Sequence, residues 1–234
     1  MFNIKQDNGI TTKKEQVYTI IKNRILSGIY KHGNRILEDN IANELNVSKS
    51  PIREALKELS GEGFVVIVPN KGVFVKKLTK QDIIEILDFR TLIEKYSIKK
   101  IIENASDDSL NELSEIYEKM KKVHADNDTN KYARIDAQFH DTIYRLSGNM
   151  LMYKMAVNIF YLFQPFRVFS LNSKKRFEES LIEHKEIVDG LYSRNFQKTW
   201  AIAKTHLHLA SIEVINFLER SESDSDNSIN YPSY

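Results

Sequence analysis

The chain has 234 residues, 41% hydrophobic and 28% charged, with no cysteine and a net charge of +2. Disulfides and thiolate metal sites are therefore excluded, and no stretch approaches the roughly 20 apolar residues of a membrane span. The N-terminus, MFNIKQDNGITTKKEQ, lacks the apolar core of a secretory signal, so a cytoplasmic, membrane-free protein is expected. The charge is unevenly placed: residues 1–78 carry 13 Lys+Arg against 8 Asp+Glu, a balance of +5, and the remainder is acidic. A basic head on an acidic body suggests that the head meets a polyanion.

In chain order, Thr12 and Glu15 form a capping box ahead of the helix VYTIIKNRILSGIY. After a loop, Leu37–Leu45 reads as a short helix closed by Asn46, a residue that tolerates left-handed backbone. A third helix runs from Ser48 to Leu59, with Pro51 in its first turn, where a missing N–H costs nothing. The period then changes: FVVIV (64–68), the turn PNKG (69–72) and VFV (73–75) predict a β-hairpin. Three helices and a hairpin wing make a winged helix-turn-helix over residues 1–78.

From Thr79 only helical periodicity remains, over approximate spans 79–105, 107–124, 130–147, 149–171, 175–194 and 195–220. The fold class is thus mainly α: the winged head, then an antiparallel six-helix bundle over 79–220. Pro165 is expected to kink or split the fourth bundle helix. Residues 221–234, SESDSDNSINYPSY, are polar and acidic and are expected to be disordered.

A helix-turn-helix lays its second helix in the major groove with N-terminal side chains at base edges. Here those residues are Ser48, Lys49, Ser50 and Arg53, and Lys49 and Arg53 share one face. At the wing tip, Asn70, Lys71 and Gly72 would reach the adjacent groove or backbone. The stretch LEDNIANELNVSKSPIREALKELSGEGFVVIVPNKGVFV closely resembles the DNA-binding domain of GntR-family regulators, matching or conservatively replacing its pattern from Glu38 to Leu56. The resemblance implies DNA contacts at Ser48, Lys49, Ser50, Arg53 and Gly72. Three departures stand out: Lys49 where Arg is commoner, Asp39 where some members carry a DNA-contacting Arg, and Asn46 for the usual turn Gly. Lys lacks the planar fork of Arg.

In the body, Asp136 and His140 lie four apart on an inward face with Tyr132, Ile135, Phe139 and Ile143. His184 and His206 lie on apolar stripes of two later helices. Three imidazoles and a carboxylate projecting into one bundle core would bind a divalent ion, although a histidine on an apolar face is often only a hydrogen-bonded core residue. His208 should face away, and His124 sits at a helix end; both are excluded. Residues 79–220 resemble the FCD ligand-binding domain of the FadR subfamily, and the six-helix count its VanR-like branch. That resemblance implies a metal site at Asp136, His140, His184 and His206, zinc first, with nickel, manganese and iron admitted. Arg90 lies on an apolar stripe, either paired with Glu94 or clamping an effector carboxylate at the metal; Asn149 reads as a helix cap.

The expectation is a ligand-responsive transcription regulator, a repressor rather than an enzyme, binding a palindromic double-stranded operator as a homodimer. A metal-dependent hydrolase carrying a DNA-binding domain is the alternative, but no unassigned inward carboxylate or histidine suits general base work.

Overall fold

The computed structural model describes residues 11–171 and 173–223. They form two compact units that divide between Lys77 and Leu78.

The N-terminal unit contains α1 (Lys13–Leu26), β1 (Arg35–Ile36), α2 (Glu38–Leu45), α3 (Lys49–Gly61), β2 (Val65–Val68) and β3 (Gly72–Val75). The Thr12–Glu15 capping box is formed in both directions, each side chain accepting from the other's backbone N–H. Two such cap bonds satisfy orphan donors at the start of α1, a contribution of about 1 kcal/mol. Val17, Ile21 and Ile25 of α1 are buried, as are Ile52, Leu56 and Leu59 of α3, the helix on which α1 packs. Asn46 ends α2 at φ 48° and ψ 50°, the left-handed conformation that turns the chain tightly into α3.

The wing has one strand more than the hairpin the sequence suggests. Its antiparallel order is β1-β3-β2, with Arg35 opposite Phe74 and Ile36 opposite Val73. Two residues are too few to show alternation, so β1 reads locally as loop; pairing with β3, distant in sequence, makes it a strand. The β2–β3 turn places Asn70 at φ 60° and Gly72 at φ 110°.

The C-terminal unit contains α4 (Lys80–Asn104), α5 (Asp107–Ala125), α6 (Thr129–Leu146), α7 (Met150–Phe163), α8 (Lys174–Tyr192) and α9 (Phe196–Ser223). Thr79, Ser106, Asp128, Asn149 and Ser173 cap five of these helices through side-chain oxygens. The fourth helix is shorter than its apolar pattern suggests. It stops at Phe163 and yields to two 3₁₀ turns, Gln164–Phe166 and Phe169–Leu171. Pro165 explains the break, since it has no N–H to continue the helical hydrogen-bond ladder. At the other end, α9 continues through residues 221–223, which the sequence assigns to a disordered tail; the rest of that tail, from 224, lies outside the described residues.

The bundle is stratified. Along α4, Ile83, Ile86 and Leu87 join one apolar cluster with Val214 and Leu218 of α9, while Ile98 and Ile101 join another with Ala203. Between them on α4 lie Arg90, Glu94 and Ser97, all buried, and on α9 lies His206. A buried polar layer sandwiched between apolar layers is stable only if its charges meet partners.

Candidate metal centre and nucleic-acid interface

The polar layer is assembled from four helices. α6 brings Asp136 and His140, α8 brings His184, α9 brings His206 and α4 brings Glu94 beneath them. One donor atom from each of Asp136, His140, His184 and His206 lies within 4.8 Å of every other, and all four residues are buried. The structure thus brings together the whole ligand set expected from sequence. It keeps His208 exposed and stacks His124 against Phe177 at 4.3 Å between centroids, well away from that set.

The outer nitrogens explain the arrangement. His140 Nδ1 donates to Glu94 Oε1 at 3.0 Å, His184 Nδ1 to the Ser180 carbonyl at 2.6 Å, and His206 Nδ1 to Glu183 Oε2 at 2.7 Å. With each proton on the nitrogen that faces an acceptor, all three Nε2 atoms present lone pairs to the centre. His140 Nε2 and His206 Nε2 lie 3.2 Å apart, and His184 Nε2 lies 3.1 Å from Asp136 Oδ1 without a hydrogen-bond partner. Lone pairs confronting one another and a carboxylate in a dry core repel unless a cation sits between them. Nitrogen and oxygen donors of this kind suit zinc and its first-row neighbours.

The electrostatics agree. Burial, reinforced by the neighbouring His184, pushes His206 down to about 3, and burial also lowers His140, so both imidazoles are neutral at pH 7. Burial alone would raise the Asp136 carboxyl, but the Arg167 guanidinium holds it well below the ordinary carboxylate range. Arg167 donates through Nη1 to Asp136 Oδ2. Arg176 Nη2 donates to Glu183 Oε2 at 2.7 Å, completing a relay from arginine through carboxylate to His206.

Beside the centre lies a narrow cavity whose wall includes Arg90, Arg167, Arg176, Asp136, Phe163 and His206. Arg90 is 1% exposed, yet among the described residues no ion pair joins it to Glu94, whose carboxylate is engaged by His140. Its guanidinium lies 4.7 Å from the Phe163 ring centre instead. Asn149 caps α7, accepting from Met152 N at 3.0 Å.

Arg167 and Arg176 were not foreseen from sequence, and Glu94 was foreseen only as a partner for Arg90, not for His140. Arg176 had a readable signal, because positions 176, 180 and 184 recur at helical spacing on the face that carries His184. Arg167 had none: it follows Pro165, between the two 3₁₀ turns, where periodicity gives no direction.

On the head, Ser48, Lys49, Ser50 and Arg53 are exposed at the first turns of α3. Ser48 stands at the N-cap but makes no capping hydrogen bond, leaving a hydroxyl and first-turn N–H groups for an anion. Arg53 donates its Nε to Glu38 Oε2 at 2.8 Å, and Lys49 Nζ lies 2.6 Å from Asp39 Oδ1. Glu38 steadies Arg53 while its outer nitrogens remain free to meet bases. Asp39, the departure noted above, sets a carboxylate against Lys49. At the wing, Lys71 is exposed, and a Cβ placed on Gly72 would come 2.9 Å from Arg35 Nε, so Gly72 lets that guanidinium lie along the strand.

A winged helix-turn-helix head and a helical unit enclosing a buried His/Asp cluster define a DNA-binding transcription regulator. The chain belongs to the GntR family of bacterial regulators. Residues 13–75 match the family of bacterial regulatory proteins named gntR, and residues 85–209 match the FCD domain. It is 30% identical over 169 residues to the gluconate operon transcriptional repressor of Bacillus subtilis, covering 72% of this chain and 68% of that one. It is 28% identical over 181 residues to the HTH-type transcriptional regulator YdhC of the same organism, covering 77% and 81%. Its fold is similar to that of a GntR transcriptional regulator from Rhodococcus sp. RHA1, with a TM-score of 0.77 at 22% identity over 88% of this chain and 99% of the other. It is also similar to Escherichia coli McbR/YncC, with a TM-score of 0.72 at 21% identity over 91% and 100%. These relatives are transcription regulators, not enzymes, which removes the hydrolase alternative. No helix among the described residues is long and apolar enough to cross a membrane.

Proposed function

We propose that this protein is a repressor that binds a palindromic operator as a homodimer through Ser48, Lys49, Ser50, Arg53, Lys71 and Gly72. A small carboxylate, sensed at a divalent metal held by Asp136, His140, His184 and His206, releases or tightens that grip. The observation that carries this reading is the convergence of three imidazole Nε2 atoms and one carboxylate beside an arginine-walled cavity. Zinc is the first choice of ion; bound there, it would anchor one end of the effector as a Lewis acid. Arg90 would hold the carboxylate as a fork.

A two-half-site operator requires two heads at a set spacing, and the helical unit offers a face for pairing. Leu92, Leu151 and Met155 are 67%, 72% and 69% exposed, and α4 and α7 pack together. The hydrogen bond from Asn149 Nδ2 to the Tyr96 hydroxyl ties the two helices beside this strip. Large exposed apolar side chains gathered on adjoining helices mark an interaction surface. Native mass spectrometry of the purified protein tests the proposal in one measurement. A dimer carrying two metal ions supports it; a metal-free monomer refutes it.

A further inference from the structure

We infer that Arg35 is a DNA contact of the wing: its guanidinium enters the minor groove beside the half-site that α3 reads and favours A·T pairs there. The inference rests on the assignment of α3 as the reading helix and adds to it a residue outside the helix-turn-helix.

The charge of the head is sorted by element. Residues 27–37 and 63–78, which form the three strands and the loops around them, hold five Lys+Arg and no Asp or Glu. The remaining residues, 1–26 and 38–62, hold eight of each kind, so the head's whole excess of +5 sits on the sheet and its loops. On the helices, carboxylates answer the cations: Glu58 pairs with Lys14, Glu62 with Lys22, Glu44 with Arg24, Asp39 with Lys49 and Glu38 with Arg53. Arg35 is exposed, and among the described residues it meets no carboxylate and no other hydrogen-bond acceptor. A cation without a protein partner, on a domain that binds a polyanion, is free to displace counterions from phosphate.

The strand geometry aims this cation. Arg35 pairs with Phe74, while the next pair, Ile36 and Val73, is buried, so Arg35 projects from the outer face of the sheet. Its Nε and Nη2 lie 2.9 and 3.1 Å from where a Cβ on Gly72 would stand. The side chain therefore runs from its own strand partner two residues along β3, toward the turn that carries Lys71. A side chain at position 72 would occupy that course, and glycine at φ 110° leaves it open. With α3 in the major groove, the wing beside it meets the adjoining minor groove, which is narrowest and most negative at A·T-rich steps. Such a groove takes Arg in preference to Lys, because a guanidinium is planar and weakly hydrated. Lys49 offers no fork and faces Asp39, so beside Arg53 it is Arg35 that gives the head a second planar fork for DNA.

Selection from a pool of random-sequence duplexes, followed by gel-shift titration on the selected duplex, tests this with the full-length protein, Arg35→Ala and Arg35→Lys. The wild type should select a core sequence flanked by A·T pairs. Arg35→Ala should select the same core without the flanking preference, bind about tenfold more weakly, and lower the slope of log affinity against log salt by about one per head. Arg35→Lys should restore the slope but not the preference. Thermal melts that match the wild type separate a lost contact from a damaged wing; if Arg35→Ala does not fold, the lysine variant decides alone. A flanking preference that survives Arg35→Ala, that Arg35→Lys restores, or that the wild type never shows overturns the inference and leaves α3 as the reading helix. A wild type that selects no sequence at all overturns both.

Discussion

His140 and His206 stay neutral because their surroundings are arranged against the proton, and this has a measurable sign. His206 is near 3 in the folded protein and near 6.5 when unfolded, so between those values the unfolded chain binds the extra proton. Stability of the chelated protein should therefore rise with pH across that window and fall on acidification. The expected loss is about 1.4 kcal/mol per pH unit for one such histidine. Thermal melts of chelator-treated protein at pH 7.0 and 5.5 should differ by several degrees; a flat profile would mean that the imidazoles charge freely. A second expectation is compositional. His140→Ala, His184→Ala and His206→Ala should each lower retained zinc after dialysis, whereas the exposed His208→Ala should not. On the head, Arg53→Ala should weaken operator binding by roughly 1–3 kcal/mol in gel-shift titration, with the fold unchanged. At this scale the sequence was informative where a residue sat in a regular helix. Asp136, His140, His184 and His206 could be assigned inward from their neighbours, while Arg167 could not, because a 3₁₀ joint has no face to read.

Among the elements, the crossing of α8 and α9 sets how far His184 stands from His206. Gly190 is the contact: a Cβ there would come 2.2 Å from Thr199 Oγ1 and 3.3 Å from the Thr199 Cα. Gly190→Ala should force the helices apart and destabilise the bundle by about 1–3 kcal/mol. The same variant should bind zinc more weakly, since the ligands ride on the displaced helices. Unchanged melting and zinc affinity would show that the helices have slack at that point. The helices themselves were legible from periodicity and from the caps at Thr12 and Asn149, while the caps at Thr79 and Ser106 emerge from the structure. Two features were hidden: β1, which exists only through its pairing with β3, and the end of α7, where an apolar run continues past the proline that stops the helix.

For the whole molecule, two expectations follow from joining a basic DNA-binding head to a body proposed to pair. A chain cut after Lys77 should still bind operator DNA, but far more weakly than the full protein at equal salt, because the second half-site no longer benefits from effective concentration. Leu151→Glu together with Met155→Glu should shift the full-length protein from dimer to monomer in light scattering while zinc content is unaffected. Equal affinity of head and full chain, or a dimer that ignores both charges, would locate pairing elsewhere. The division of labour was visible as a charge asymmetry of +5 in the first 78 residues. The exposed apolar strip proposed for pairing was not, because exposed Leu and Met inside an apolar helix look like core until packing is known.

The 3₁₀ joint after α7 has a consequence for how such a sensor diversifies. None of the four proposed ion ligands lies on it, yet it supplies Arg167, Ser170 and Leu171 to the cavity wall. Substitutions in this stretch other than at Arg167, which bonds Asp136, should therefore reshape the chamber without removing a proposed ion ligand. On the proposed reading, inherited changes in effector preference should accumulate in this short stretch and at Arg90, while loss of Asp136, His140, His184 or His206 should extinguish sensing altogether. The joint is a replaceable lock fitted to a constant bolt.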